Sequence, residues 1–108
     1  VVNVYGEQKI INSSDIIYIE GSGKYCNIRT INTTVRSSKT LSGVLDLLPQ
    51  HCFFRTHKSF AINLYCIVSI KDEYITLNNG EKAKISRNRM SNFKNAYKDF
   101  VKHFNTMV

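Results

Sequence analysis

Residues 53–63 decide the fold class, and their sequence is FFRTHKSFAIN. Two apolar runs flank a polar cluster, His57-Lys58-Ser59, and beyond it Phe60, Ile62 and Leu64 alternate with smaller or polar residues. An apolar residue at every second position is typical of a β-strand with one buried face. The stretch therefore predicts two strands with a polar connection between them.

The residues at the N-terminal end predict more strands. Alternating valines favour an opening hairpin around Gly6-Glu7. Residues 15–20 and 25–31 are rich in β-branched and aromatic residues, which favour strands. The glycine-containing residues 21–24 between them are interpreted as a connecting loop.

A short strand and a helix are predicted next. Residues 35–37 fit a strand, and the leucines and valine of residues 41–48 follow helical spacing. Ser38 or Thr40 can cap this helix, and Pro49 ends it.

The residues that follow position 63 predict another run of strands. Apolar side chains occur at β-strand spacing in three segments, residues 66–70, 74–77 and 81–85. Asn79-Gly80 lies between the last two and is the strongest hairpin signal in the chain. It predicts a two-residue turn of the primed type, with positive φ at both central residues.

The last element is predicted to be a helix capped by Ser86. Its bulky apolar residues are spaced by three and four positions, which places them on one helical face. Such a stripe favours core packing over a partner-binding surface. Its members are Met90, Phe93, Tyr97, Phe100 and Phe104.

Length and composition indicate one folded domain over residues 1–108. The chain has a mass of 12.4 kDa and is 43% hydrophobic, which is sufficient for a core and argues against a disordered tail. An apolar stretch of the length needed to span a membrane is absent from the sequence. Because the chain begins with Val1 rather than Met, we expect it to be part of a longer protein.

The charge of the chain favours a polyanionic partner. The formal net charge is +7, and residues 51–108 hold ten Lys and Arg against four Asp and Glu. Such an imbalance concentrates positive potential on one part of a domain.

Catalytic chemistry finds little support in the sequence. The three cysteines, Cys26, Cys52 and Cys66, are far apart and lack a C-x-x-C pair, which favours buried apolar residues in a reducing cytosol. The carboxylates are scattered, and nothing in the sequence activates a Cys52/His57 dyad. We therefore expect a cytoplasmic protein that is not an enzyme and binds no cofactor or metal.

Three segments combine cations with small hydrogen-bonding side chains. They are residues 23–27, 55–59 and 86–89, and the third lies at the predicted start of a helix. Nucleic-acid binding requires cations for phosphates and polar side chains that reach base edges. Together the segments predict a nucleic-acid surface if the fold places them on one side.

Four motifs resemble the LytTR DNA-binding domain family. They are Tyr18-Ile19-Glu20-Gly21-x-Gly23-x-Tyr25, Thr40-Leu41, the 53–63 stretch and Ile85-Ser86-Arg87. The resemblance implies a mainly β fold: an elongated antiparallel arrangement of about ten strands with one short internal helix and a C-terminal helix.

The resemblance also implies a function. Members bind duplex DNA sequence-specifically through loops in the major groove, as output domains of bacterial two-component response regulators. It implies an N-terminal receiver domain, a cognate histidine kinase and promoter direct repeats as partners. This segment is expected to make no membrane contact and to self-associate weakly or not at all.

Residue roles carried over from the family fall into two groups. The implied base contacts are Lys24, Cys26, Asn27, Lys58, Arg87 and Asn88. The implied phosphate contacts are Tyr25, Arg29, Arg55, His57, Ser59, Ser86 and Arg89. His57 has an alternative role in bracing its turn, and Asn63 is interpreted as a turn-stabilising amide. At Cys26 the chain departs from family members that have His or Arg.

Two other functions remain open from the sequence. A β module for single-stranded nucleic acid or RNA would use exposed aromatic side chains as stacking platforms. A protein-interaction domain would dock its basic face on an acidic partner.

Overall fold

The computed structural model describes the backbone of residues 2–4, 7–49 and 51–104 and the side chains of residues 10–49 and 51–103. The elements in this part of the chain are β1 (Val2–Val4), β2 (Glu7–Lys9), β3 (Ile16–Ser22), β4 (Tyr25–Thr30), β5 (Thr34–Ser37), α1 (Leu41–Leu45), β6 (Phe53–His57), β7 (Phe60–Asn63), β8 (Ile67–Lys71), β9 (Tyr74–Leu77), β10 (Lys82–Lys84) and α2 (Arg87–Phe104). Two 3-10 turns, Ser13–Asp15 and Leu64–Cys66, precede β3 and β8.

The strands form three antiparallel sheets. Sheet A pairs β1 with β2, sheet B has the order β5-β4-β3-β7-β6, and sheet C has the order β10-β9-β8. The extents along the principal axes are 41 × 32 × 24 Å, so the domain is elongated. The predicted fold class is confirmed.

Sheet B separates two hydrophobic cores, and a β-bulge in β3 places one residue in each of them. The register between β3 and β4 shifts between Ile16 and Tyr18, so Ile17 is an extra residue in β3. Ile16 is buried in the core that α1 covers, and Ile17 is buried in the core shared with sheet C and α2. Two adjacent residues of one strand are therefore both buried, on different sides.

Helix α2 packs on the second core through the predicted stripe. Phe93 and Phe100 are buried, and Met90 and Tyr97 pack beside them. The Phe93 ring meets the Phe54 ring of β6 edge-on, with centroids 5.4 Å apart. The core-packing interpretation is confirmed for these four residues, whereas the side chain of Phe104 lies outside the described residues.

The turn predicted at Asn79-Gly80 has a different geometry. Four residues, 78–81, separate β9 from β10, and among them only Gly80 has a positive φ, of +89°. The Gly80 N–H donates to the Leu77 carbonyl at 2.9 Å, and the Glu81 N–H donates to the Asn79 side chain at 3.0 Å. The prediction of a two-residue primed turn is wrong, because the Asn79 side chain stabilises a wider loop that needs one left-handed residue.

The connection predicted over residues 21–24 is shorter than expected. β3 continues through Ser22, which pairs with Tyr25. Only Gly23 and Lys24 remain for the turn, and Gly23 has a φ of +72°. A positive φ at the first central residue is what a type II′ hairpin turn requires. Lys24 is thereby fixed at the tip of a tight hairpin.

Two other boundaries differ from the sequence prediction. α1 is a single turn that ends at Leu45, with the Thr40 hydroxyl accepting from the Gly43 N–H at 3.1 Å. β8 begins at Ile67 because the preceding residues form a 3-10 turn. The Gly6 turn of the opening hairpin lies outside the described residues, although its two strands pair as predicted.

The Asn63 amide joins the end of β7 to the start of β3. Its Nδ2 donates to the carbonyls of Ile16 at 2.7 Å and Ser13 at 3.4 Å, and its Oδ1 accepts from the Tyr65 N–H at 3.0 Å. The side chain is 1% exposed. The interpretation of Asn63 as a turn-stabilising amide is confirmed.

We expect Asn63→Leu to lower the free energy of unfolding by about 2–4 kcal/mol, because it leaves buried backbone groups without partners. Asn92→Ala, at an exposed position on α2, is the control and should change stability by less than about 0.5 kcal/mol. Urea unfolding of both variants measures the difference. Equal stabilities would contradict the role given to the Asn63 amide.

Tyr18 should make stability depend on alkaline pH. Burial, together with a hydrogen bond to Glu81, raises the pKa of Tyr18 from 10.0 to about 12. The unfolded chain then loses this proton at lower pH than the folded domain. The contribution of the Tyr18 proton to the free energy of unfolding is therefore fully present below about pH 10 and is lost as the pH rises towards 12.

Tyr18→Phe should make this alkaline fall in stability shallower, because the variant has no phenol to titrate. Tyr74→Phe, at an exposed tyrosine, should keep the wild-type fall. Urea unfolding at several values between about pH 9 and pH 12 compares the three proteins. The same slope in wild type and Tyr18→Phe would refute the argument.

Candidate nucleic-acid interface

Arg55 connects the β6–β7 turn to the first turns of both helices. Its Nη1 donates to the Ser42 hydroxyl in α1 at 3.1 Å, and its Nη2 donates to the Lys58 carbonyl in the β6–β7 turn at 2.8 Å. Its own carbonyl accepts from Arg89 Nη2 at 2.9 Å. The first turns of both helices and the β6–β7 turn are therefore held next to one another.

The β3–β4 hairpin reaches the same place. The Gly21 N–H donates to the Ser59 carbonyl at 2.7 Å. A Cβ on Gly21 would lie 3.3 Å from the Leu41 Cβ, so this close approach favours a glycine. One open depression is lined by Gly21, Gly23, Thr40, Leu41, Ser42, Arg55, Lys58 and Ser59. Two of the predicted segments thus meet around it.

The β6–β7 turn is braced from within. The His57 Nδ1 accepts from the Ser59 N–H at 3.1 Å, so the ring proton lies on Nε2. Lys58 is exposed between these two residues. The bracing role of His57 is confirmed, and its exposed ring keeps one donor that faces away from this bond.

The start of α2 presents two exposed polar side chains. Arg87 and Asn88 are exposed, and the Ser86 hydroxyl donates to the Asn88 Oδ1 at 2.7 Å. The Ser86 carbonyl accepts from the Arg89 N–H at 3.1 Å, so Ser86 precedes the helix at the predicted position. The Asn88 amide nitrogen remains as a donor.

Cys26 does not lie on the surface. Alternation along β4 places Cys26 in the core, whereas Tyr25, Asn27 and Arg29 are partly exposed. Cys26 is 0% exposed, and burial raises the pKa of its thiol to about 11. A base contact from this thiol is incompatible with its position.

The other two cysteines are also free and buried, as the sequence predicts. Burial raises the pKa of both Cys52 and Cys66. A thiol is a nucleophile only after it loses its proton, and burial opposes that loss.

Sequence reasoning missed Arg36. It lies opposite Asn27 in the β4–β5 register, and its guanidinium carbon is 4.1 Å from the centroid of the Tyr25 ring. A basic pocket beside the β3–β4 hairpin is lined by Lys24, Tyr25, Arg36, Ser37 and Ser38. Alternation along residues 34–37, with Val35 buried, would have placed Arg36 on the same face as Asn27.

Arg29, Arg55 and Arg89 differ from Arg36 in their surroundings. Each of the three has its Nε atom buried. Arg29 Nη1 donates to the Thr34 hydroxyl at 3.4 Å. Arg55 and Arg89 make the bonds described above, so parts of all three guanidinium groups point into the protein.

Comparisons with known proteins identify relatives and a similar fold. A family model described as the LytTr DNA-binding domain matches residues 6–98. The transcriptional regulatory protein NatR of Bacillus subtilis is 30% identical over 97 residues, which cover 84% of this chain and 42% of NatR. The sensory transduction protein LytT of the same organism is 29% identical over 83 residues, which cover 72% of this chain and 34% of LytT.

A solved structure has the same fold. The LytTr DNA-binding domain of a methyl-accepting/DNA response regulator from Bacillus cereus superposes with a TM-score of 0.75 at 23% identity. The match covers 88% of this chain and 92% of that chain. The chain thus spans most of a solved domain but less than half the length of the curated relatives. In the described residues, the helices are too short or too polar to cross a membrane.

Proposed function

Because the chain belongs to the LytTr DNA-binding domain family, we propose that it binds double-stranded DNA sequence-specifically, through loops inserted in the major groove. The observation that carries this proposal is the hydrogen-bonded junction of the β3–β4 hairpin, the β6–β7 turn and the first turn of α2. Separate polar loops can contact one duplex only if they are held together. The family is one of DNA-binding domains rather than of enzymes.

In the cell, the domain is proposed to be the output part of a two-component response regulator that controls transcription. The names of NatR and LytT, a transcriptional regulatory protein and a sensory transduction protein, support this role. A receiver domain, a cognate histidine kinase and promoter direct repeats are the proposed partners. The isolated domain would then bind DNA as a weakly associating or monomeric unit.

The proposed base contacts are the exposed or partly exposed polar residues of the three segments. Arginine and asparagine suit bidentate contacts to guanine and adenine, and lysine acts as a point charge on guanine or phosphate. These residues are Lys24, Asn27, Lys58, Arg87 and Asn88.

The proposed phosphate contacts surround these residues. His57 offers its exposed Nε2 donor, and Arg36 adds a cation beside Lys24 that the sequence did not single out. Ser59, Ser86 and Arg29 complete this group. The net charge of +7 would strengthen every phosphate contact at low salt.

Aromatic packing favours duplex DNA over the single-stranded alternative. Tyr18 stacks on Phe60, and Phe54 packs edge-on against Phe93, so these rings are occupied within the protein. A single-strand module uses exposed rings as stacking platforms for bases.

A basic protein-interaction module would select no duplex at all. Selection from a random duplex library therefore distinguishes such a module from a sequence-specific DNA-binding domain.

Arg87→Ala should weaken binding to the selected duplex by about 1–3 kcal/mol, with the loss confined to one base position. Lys102→Ala, an exposed cation in the last turn of α2, is the control and should change affinity little. Fluorescence anisotropy with the selected duplex and its single-base variants measures both. Equal losses on selected and random duplexes would show that Arg87 contacts phosphate rather than a base.

Tyr25 is proposed to act through Arg36, so its ring should matter more than its hydroxyl. Tyr25→Phe keeps a platform for the guanidinium and should change duplex affinity by less than about twofold, whereas Tyr25→Leu should weaken it severalfold. Arg36→Gln should match Tyr25→Leu. A loss in Tyr25→Phe as large as that in Tyr25→Leu would instead assign the phosphate contact to the hydroxyl.

A further inference from the structure

We infer that Arg55 and Arg89 are positioning residues that set the spacing between the DNA-contacting turns and make no phosphate contact of their own. This inference rests on the proposed function. It replaces the phosphate contacts that the family resemblance implied for both residues. The directions of their hydrogen bonds support it.

The guanidinium of the partly buried Arg55 is hydrogen-bonded to other parts of the protein. Two of its nitrogens donate to Ser42 and to the Lys58 carbonyl, and its Nε is buried. The Lys58 carbonyl belongs to the exposed tip of the β6–β7 turn. Arg55 therefore orients the backbone that carries Lys58, a proposed base contact.

Arg89 fixes the start of α2 against the same strand. Its Nη2 donates to the Arg55 carbonyl at 2.9 Å, its guanidinium carbon lies 6.0 Å from the Phe54 ring centroid, and its Nε is buried. Arg87 is only two residues before Arg89. The bond to Arg55 thus fixes the position of Arg87 relative to Lys58.

The Arg55 carbonyl, which accepts the bond from Arg89, lies beside an irregular part of β6. The register between β6 and β7 shifts between Arg55 and His57, so the strand bulges there. A bulge interrupts the ladder of backbone hydrogen bonds and bends the strand. At this point the backbone of β6 is bonded to a helix as well as to its neighbouring strand.

The consequence for DNA binding differs from that of a phosphate contact. Loss of a phosphate contact weakens binding to all duplexes alike and lowers the salt dependence of affinity by about one charge. Loss of a positioning residue leaves the contacting charges in place but allows the two base-contacting turns to move apart. It should therefore weaken binding to the selected duplex far more than binding to a scrambled one.

The first experiment measures the affinity of the domain for selected and scrambled duplexes across a salt series. For Arg89→Ala we expect a loss of about tenfold or more on the selected duplex, less than about threefold on the scrambled one, and an unchanged salt slope. Arg89→Lys keeps the charge but not the planar group, and we expect it to fail to restore selectivity. Arg36→Gln removes a proposed phosphate contact and is the comparison, and it should lower the slope by about one.

A double-mutant cycle tests Arg55 without relying on its removal alone. Ser42→Ala deletes the acceptor of the Arg55 Nη1 bond, and we expect its effect on selectivity to disappear when Arg55→Ala is also present. Thermal unfolding checks that each variant is folded at the assay temperature. If Arg55→Ala unfolds, Ser42→Ala and Arg89→Lys decide the question by their selectivity and salt slope.

Three results would overturn the inference: equal losses on both duplexes, a salt slope lowered by about one in Arg89→Ala, or full rescue by Arg89→Lys. Additive effects in the Ser42 and Arg55 cycle would exclude the positioning role of Arg55. A wild-type domain without preference for any duplex would contradict the proposed function itself. If wild type is selective and Arg36→Gln behaves as loss of a phosphate contact, a contrary result for Arg55 and Arg89 affects this inference alone.

Discussion

The rest of the structure depends on the buried amide of Asn63. It lies where β7 leaves sheet B and the chain turns towards sheet C, and it bonds the carbonyl of Ile16 together with the Tyr65 N–H. The Cys66 thiol also donates to the Ile16 carbonyl, at 3.6 Å. A buried polar group with all of these partners specifies one arrangement of the surrounding chain. The two cores, and the helix that packs on the second one, are thereby placed relative to each other.

The candidate interface consists of turns that are bonded to neighbouring elements instead of free loops. The Gly21–Ser59 bond and the two arginine links each tie one turn to another part of the backbone, and the His57–Ser59 bond braces the β6–β7 turn from within. Residues on such turns lose little freedom when they bind, and a fixed geometry favours recognition of one sequence over others. Under the proposed function, the fold would supply through these turns the rigidity that a recognition helix provides in other DNA-binding domains.

Regular periodicity explains which parts of the sequence were predictable. The strands of sheet B and the α2 stripe follow periods of two and of 3.6 residues, so their burial follows from spacing. The Asn79-Gly80 turn was predicted wrongly because side-chain bonding at Asn79 selected a wider loop. The Cys26 contact came from the resemblance, whereas its place in the strand alternation makes it a core residue. The inward bonds of Arg55 and Arg89 depend on tertiary neighbours, which no local pattern contains.

The stacking of Arg36 on Tyr25 has a thermodynamic consequence. A long cationic side chain in solvent samples many rotamers, and ordering it costs up to about 2 kcal/mol of conformational entropy. Here the ring already confines the guanidinium, at 4.1 Å, in the free protein. That ordering is part of folding, so an anion that arrives at this corner of the domain meets a charge whose direction is already set.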